Sequence, residues 1–330
     1  MTPLPITIAT GRYDRTLPVQ DGRVPVDGCT VTYLNLDPEE LFFRAFRYAE
    51  FDVAELSFSS YLLQHQRGVG AYTAIPVYPS RMFRHSGFYI RTDRGINRPQ
   101  DLAGRSIGVA EYQMTAALWQ RGLLSDEYGV TPESIVWRTG GIEQPGREER
   151  APLTMHKNIE ITPIGAEQTL TGMLASGEID AMVVPRPPSC FVNGAAHVGR
   201  LFPDYRSAEQ AYYRKTKLHP IMHLIGVRTT LLERYPWLAS NLYKAFRQAK
   251  ALAINDLERL ITLAVTLPWV GAELEATREI LGHDVWPYGV NENRREIETL
   301  LRYSQEQGII ADPVDVDGLF ATSTLAVAKI

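Results

Sequence analysis

The stretch NRPQDLAGRSIGVAEYQMTAALWQRGLL, residues 97–124, decides the fold class. Asp101 to Gly104 reads as a helical turn stopped by glycine, RSIGVA as a strand, and the residues after it as a helix beginning near Met114. A short strand feeding directly into a helix is the repeating unit of α/β proteins. Working outward, AEQTLTGMLASGEIDAMVVP (166–185) has a helix, a break at Gly177 and a second strand. Upstream come the strand candidates ITIAT (6–10), FDVAELSF (51–58), AYTAIPVY (71–78) and GFYIR (87–91), with a helical PEELFFRAFRYAE at 38–50. Downstream, HLIGVR (223–228) is a strand candidate, and helical stretches follow at 231–257, around 272–281, at 293–308 and at 315–328. This alternation predicts largely parallel sheets. The polar segment 140–158 predicts a long loop or arm.

At 330 residues the chain is long enough for two lobes. Its 34 basic and 38 acidic side chains leave a formal charge of -4, so no broad cationic field for nucleic acid or anionic lipid is expected. Two cysteines, Cys29 and Cys190, lie far apart without CxxC spacing, which argues against a disulfide framework and a cysteine-based zinc site. No apolar run approaches the ~20 residues that span a bilayer. The start, MTPLPITIATGRYD, has no secretory pattern, so a cytoplasmic protein is expected.

Any anion site must therefore be local, and YPSRMFRHS (78–86) is the candidate. It sets Arg81, Arg84 and His85 within five residues between two apolar strands. Guanidinium groups grip carboxylates in a forked geometry, and an imidazole moves protons near neutral pH. A helical segment would put Arg81 and Arg84 on one face; an extended one would point them apart. A solvated basic turn is the plain alternative.

Other candidates follow strand ends, where open α/β sheets bind ligands. Arg12, Tyr13 and Asp14 follow the first strand. Glu55, with Ser57, Ser59 and Ser60 beyond it, follows FDVA, although the serines can equally cap a helix. Glu111, Tyr112 and Thr115 stand where RSIGVA gives way to a helix, whose N-terminal N–H groups favour an anion. Arg186 in PRPP follows DAMVV. His219 and His223 stand i, i+4, the spacing of some metal sites on helices; Pro220 between them favours extended chain, which makes hydrogen bonding the default and a divalent metal the alternative. Walker, GxGxxG and GxSxG motifs are absent from the sequence.

The run DLAGRSIGV followed by a helix and by GEIDAMVV resembles the second lobe of type II periplasmic-binding-protein-like folds. The strings FDVAELSFSSY (51–61), IPVYPSRMFRHS (75–86), EYQMTAALWQRGLL (111–124), HPIMH (219–223), LPWV (267–270) and DVWPYGV (284–290) together resemble the 4,5-dihydroxyphthalate decarboxylase family over nearly the whole chain. The resemblance implies a two-lobed α/β protein with a helical C-terminal region, residues 1–91 with 225–330 as one lobe and 92–224 as the other, and a ligand cleft between them. It implies a cytoplasmic enzyme that removes one carboxylate from a dihydroxylated aromatic diacid, without an organic cofactor.

A ring hydroxyl para to the departing carboxylate lets the ipso carbon take up a proton before CO2 leaves. Such a site needs a proton donor, a base for the phenol and cationic clamps. Arg81 and Arg84 are the expected clamps. Glu55 is the candidate base, and His85 a donor or, with arginines favouring its neutral form, a base. His219 and His223 complete the catalytic candidates. The rivals are a solute-binding protein without chemistry and an enzyme for another hydroxyaryl acid; a homo-oligomer is a further expectation.

Overall fold

The structure is a computed structural model that describes residues 2–147 and 154–325. It divides into two units: Met1–Arg81, Ile221–Glu298 and Val314–Ile330 form the first, and Met82–Pro220 with Thr299–Pro313 the second. Each is built on its own mixed sheet.

Strands β1 (Leu4–Thr10), β2 (Cys29–Asn35), β3 (Val53–Ser57), β4 (Tyr72–Arg81) and β11 (Ile221–Arg228) form the first sheet, in the order β2-β1-β3-β11-β4. The first three run parallel, while β11 pairs antiparallel with both β3 and β4. Every residue of β3 is buried. The strand is covered on both faces, so even Glu55 and Ser57 within it are buried. Helix Pro38–Tyr48 buries Leu41, Phe42 and Ala45, and helix Leu238–Glu258 buries a stripe including Leu242, Phe246 and Ala249.

The second sheet comprises β5 (Phe88–Arg91), β6 (Ser106–Val109), β7 (Val136–Thr139), β8 (Ile161–Pro163), β9 (Ala181–Val183) and β10 (Val198–Arg200), in the order β10-β5-β9-β6-β7-β8. Residues 97–124 form the expected elements: a 3-10 turn at Pro99–Leu102, then β6, then helix Thr115–Tyr128. Gly177 closes helix Leu170–Ser176 at φ 85°, a left-handed conformation that suits glycine.

Four features differ from expectation. The sheets are mixed, because β5, β10 and β11 run against their neighbours. Strand β5 belongs to the second unit, since it pairs with β9 and β10, and residues 299–313 join that unit too; the boundaries therefore fall at 81/82 and 220/221 rather than 91/92 and 224/225. Strands β2, β7, β8 and β10 carry weak apolar patterns and escape a reading by periodicity. The stretch 315–328 holds only 3-10 turns at Asp317–Leu319 and Thr322–Thr324 among the described residues.

Candidate active site

Beside the parallel strands β1 and β3 of the first unit three sequence candidates gather: Tyr13 from the chain after β1, Glu55 from within β3 and His223 from β11. Glu55 sits on β3, fully buried. Its Oε2 accepts the Gly11 N–H at 2.7 Å, and its Oε1 accepts the Tyr13 hydroxyl at 2.7 Å and meets His223 Nδ1 at 2.6 Å. His223 comes from β11, whose antiparallel register places it opposite Ser57. Its ring stands edge-on to Phe42, centroids 4.8 Å apart, which fixes its plane. A side chain at position 11 would meet the Tyr13 ring at 3.0 Å, so glycine there lets the tyrosine fold back over the carboxylate.

Burial pushes the Glu55 carboxyl up, but the His223 hydrogen bond and charge, the Gly11 N–H and the Tyr13 hydroxyl outweigh it and hold the group below its ordinary value. Glu55 is thus an ionised acceptor with both oxygens engaged. An acceptor-only carboxylate requires the proton on His223 Nδ1, which leaves Nε2 as the exchangeable position. Tyr13 is raised well above its ordinary value, by burial first and then by the Glu55 charge, so it stays a neutral donor. The Glu55 expectation changes accordingly: the carboxylate orients His223 and does not itself take the substrate proton.

Arg15, which carries no signal of its own in the sequence, braces this corner. Its guanidinium lies 4.4 Å from the Tyr13 ring centroid and 4.0 Å from that of Trp286, and its Nε donates to Pro79 O at 2.8 Å. Arg12 and Asp14 are exposed beside it. Ser57 and Ser59 are buried at the start of helix Phe58–Gln66, where the Ser60 hydroxyl donates to Ser57 Oγ at 3.2 Å.

The basic cluster separates. Arg81 ends β4 in the first unit, and its buried guanidinium donates to Pro287 O at 2.8 Å and to Asn293 Oδ1, with Glu296 at 3.9 Å. It is a structural brace rather than a substrate clamp. Arg84 and His85 belong to the second unit. Burial lowers Arg84 to about 10, and its Nη1 lies 3.5 Å from Pro185 O. His85 is 2 % exposed, edge-on to Phe202 and Tyr212, and burial lowers it to about 4. It is neutral near pH 7 and cannot serve there as the cationic proton donor.

His219 and His223 share no helical face. His219 lies in irregular chain of the second unit, stacked on Phe83 with centroids 4.8 Å apart, while His223 is on a strand of the first. Among the described residues no three His, Cys, Asp or Glu side chains gather as a metal site would.

Glu111 is buried and accepts Arg147 Nε at 2.9 Å, an ion pair that ties the polar loop to the strand end. Residues 148–153 of that loop lie outside the described residues. Tyr112 lies beneath Arg121, 3.7 Å from guanidinium carbon to ring centroid, and Arg121 also donates to Gln307 Oε1 at 2.7 Å. This is core packing, not a substrate contact. Thr115 opens its helix and is buried.

Arg186 lines a cavity of about 370 Å³ in the second unit, together with His219, Arg200 and Glu209. Neither Arg200 nor Glu209 stands out in the sequence: Arg200 is a lone charge in the apolar run VGRLF (198–202), and Glu209 sits in polar chain that reads as solvated.

No family model matches the chain. Two solved structures share its fold at low identity: the periplasmic sulfonate-binding protein SsuA from Methylobacillus flagellatus (TM-score 0.55, 11 % identity, 98 % of this chain and 94 % of that one) and the aliphatic sulphonate binding protein SsuA from Escherichia coli (TM-score 0.53, 13 %, 97 % and 92 %). The fold is therefore periplasmic-binding-protein-like. Among curated proteins, a 4,5-dihydroxyphthalate decarboxylase from Comamonas testosteroni is 43 % identical over 330 residues, covering all of both chains. One of the same name from Pseudomonas putida is 45 % identical over 214 residues, 65 % of this chain and 83 % of that one. With identity at this level running from end to end, the chain belongs to the 4,5-dihydroxyphthalate decarboxylase family.

Proposed function

We propose that this protein is a carboxy-lyase that removes one carboxylate from 4,5-dihydroxyphthalate without oxidation. The observation that carries the reading is the end-to-end 43 % identity to a decarboxylase of that name. The Tyr13–Glu55–His223 cluster supports it with suitable chemistry. Direct loss of CO2 would leave an aryl carbanion. The para hydroxyl avoids this by feeding electron density to the ipso carbon as its proton leaves, so that the carbon is protonated before the C–C bond breaks and aromaticity returns. His223 Nε2 takes the phenolic proton, the Glu55 carboxylate stabilises the imidazolium that results, the ipso carbon takes its proton from solvent, and the imidazolium returns its proton to the phenolate once CO2 has left. Gly11 and Tyr13 keep Glu55 ionised for that task.

The balance is one proton consumed and one CO2 released, leaving 3,4-dihydroxybenzoate. Incubating the purified protein with 4,5-dihydroxyphthalate is expected to yield CO2 and 3,4-dihydroxybenzoate in equal amounts. Binding without CO2 release would overturn the reading in favour of a solute-binding protein. The reading also places the enzyme in the cytoplasm, which cell fractionation against a cytoplasmic marker tests.

A further inference from the structure

The second unit holds a cavity that the acid–base cluster does not account for. Its volume of about 370 Å³ falls in the ~300–1,000 Å³ range of small-ligand sites. One wall is flat: Phe83 and His219 stack with an interplanar angle of 15°. The opposite chemistry is cationic. Arg200 is held in place by its Nη1 bond to Ser86 O at 2.6 Å and by the Tyr89, Phe191 and Tyr205 rings, 4.9 to 5.2 Å from its guanidinium carbon. Arg186 is exposed at the rim, flanked by Pro185 and Pro187, whose rings stiffen the backbone that carries it. Glu209 also lines the cavity, and its Oε1 accepts the Ser86 N–H at 3.3 Å. A pair of stacked rings, one guanidinium held in place, a second at the rim and one carboxylate select a flat anion that also presents hydroxyl donors.

We infer that this cavity is a recognition pocket for a hydroxylated aromatic carboxylate, in which Arg186 and Arg200 grip a carboxylate and Glu209 accepts a hydrogen bond from a ring hydroxyl. This rests on the functional reading above for the class of ligand, and the pocket it assigns lies wholly within the second unit. Glu209 has a discriminating role in particular. A carboxylate on the wall of an anion pocket repels a diacid unless hydroxyls satisfy it, so phthalate, which lacks them, is rejected. Burial raises Glu209 to about 7, which leaves it able to exchange a proton with a phenol near neutral pH.

The test compares binding of 4,5-dihydroxyphthalate and phthalate by calorimetry to the full-length protein, to Glu209→Gln and to Arg186→Ala, with unfolding curves recorded for all three. Glu209→Gln is expected to weaken 4,5-dihydroxyphthalate by about tenfold or more while leaving phthalate unchanged or tighter, as loss of a hydrogen bond to a charged group would do. Arg186→Ala, at an exposed position, is expected to weaken both ligands. Equal losses for the two ligands in Glu209→Gln, or no change in either variant, would overturn the assignment. If the variants behave as expected but the parent releases no CO2, the pocket stands and the decarboxylase reading falls. Normal CO2 release with unaltered binding in both variants removes the pocket and keeps the decarboxylase.

Discussion

A carboxylate with no access to solvent can still govern a proton transfer if it fixes the tautomer of the group that performs it. Glu55 does this for His223 across 2.6 Å, with Gly11 and Tyr13 holding the carboxylate from the other side. Glu55→Gln removes the charge that stabilises the imidazolium while keeping the shape. It is expected to lower kcat by about 10²-fold or more with little change in KM, since Glu55 acts through His223 and not on the substrate. Tyr13→Phe removes one of three hydrogen bonds and is expected to cost only about tenfold. Steady-state CO2 release measures both, and equal kcat for parent and Glu55→Gln would remove the pair from the chemistry. Glu55 is singled out in the sequence as following an apolar FDVA strand, but β3 runs on through it to Ser57, so the carboxylate lies within the strand and not beyond its end. The role of His223 is not legible there, because it depends on a strand that arrives from 168 residues later in the chain.

At the scale of elements, β4 shows why local spacing misleads. The basic cluster reads as one patch of chain, but β4 ends at Arg81 and the segment after it leaves for the second sheet. Residues three apart stay within ~11 Å of each other in any conformation, but which unit buries each side chain is set by where the chain leaves the strand. Arg81 is instead a brace between the end of β4 and the chain at 287–296, bonded to Pro287 O and Asn293 and close to Glu296. Removing one partner of a buried polar network leaves the others unsatisfied, which commonly costs ~3–5 kcal/mol. Arg81→Ala is therefore expected to lower the urea midpoint by that measure, with any activity loss following from unfolding. An Arg81→Ala protein with parental stability and no turnover would restore the substrate-clamp role.

For the whole molecule, a buried histidine and a half-buried glutamate set opposing pH dependences of stability. His85 has an ordinary pKa of 6.5 and about 4 in the fold, because burial disfavours its cation. As pH falls through 6.5 the unfolded chain takes up a proton that the folded chain refuses, so stability drops across this window, by on the order of 3 kcal/mol for the whole shift. Glu209 works the other way. Burial raises it from 4.5 to about 7, so the folded chain keeps a proton that the unfolded chain releases, and stability drops as pH rises through that interval. In urea unfolding compared at pH ~5 and ~6.5, Glu209→Gln is expected to gain stability more steeply with rising pH than the parent, and His85→Asn to lose it. Parental slopes in both variants would remove these two groups as the source.

The α/β class, the helix–glycine–strand units at 97–124 and 166–185, and the choice of Glu55 as a candidate were determined by the sequence itself. Each rests on interactions within a few residues: burial periodicity, a glycine stop, an apolar run before a carboxylate. What joins Glu55 to Tyr13 and His223, what parts Arg81 from Arg84, and what sets Arg200 and Glu209 on one cavity was decided only by tertiary structure. Strand order and register bring those side chains together across long separations in sequence, and no local pattern encodes which distant strand becomes a neighbour.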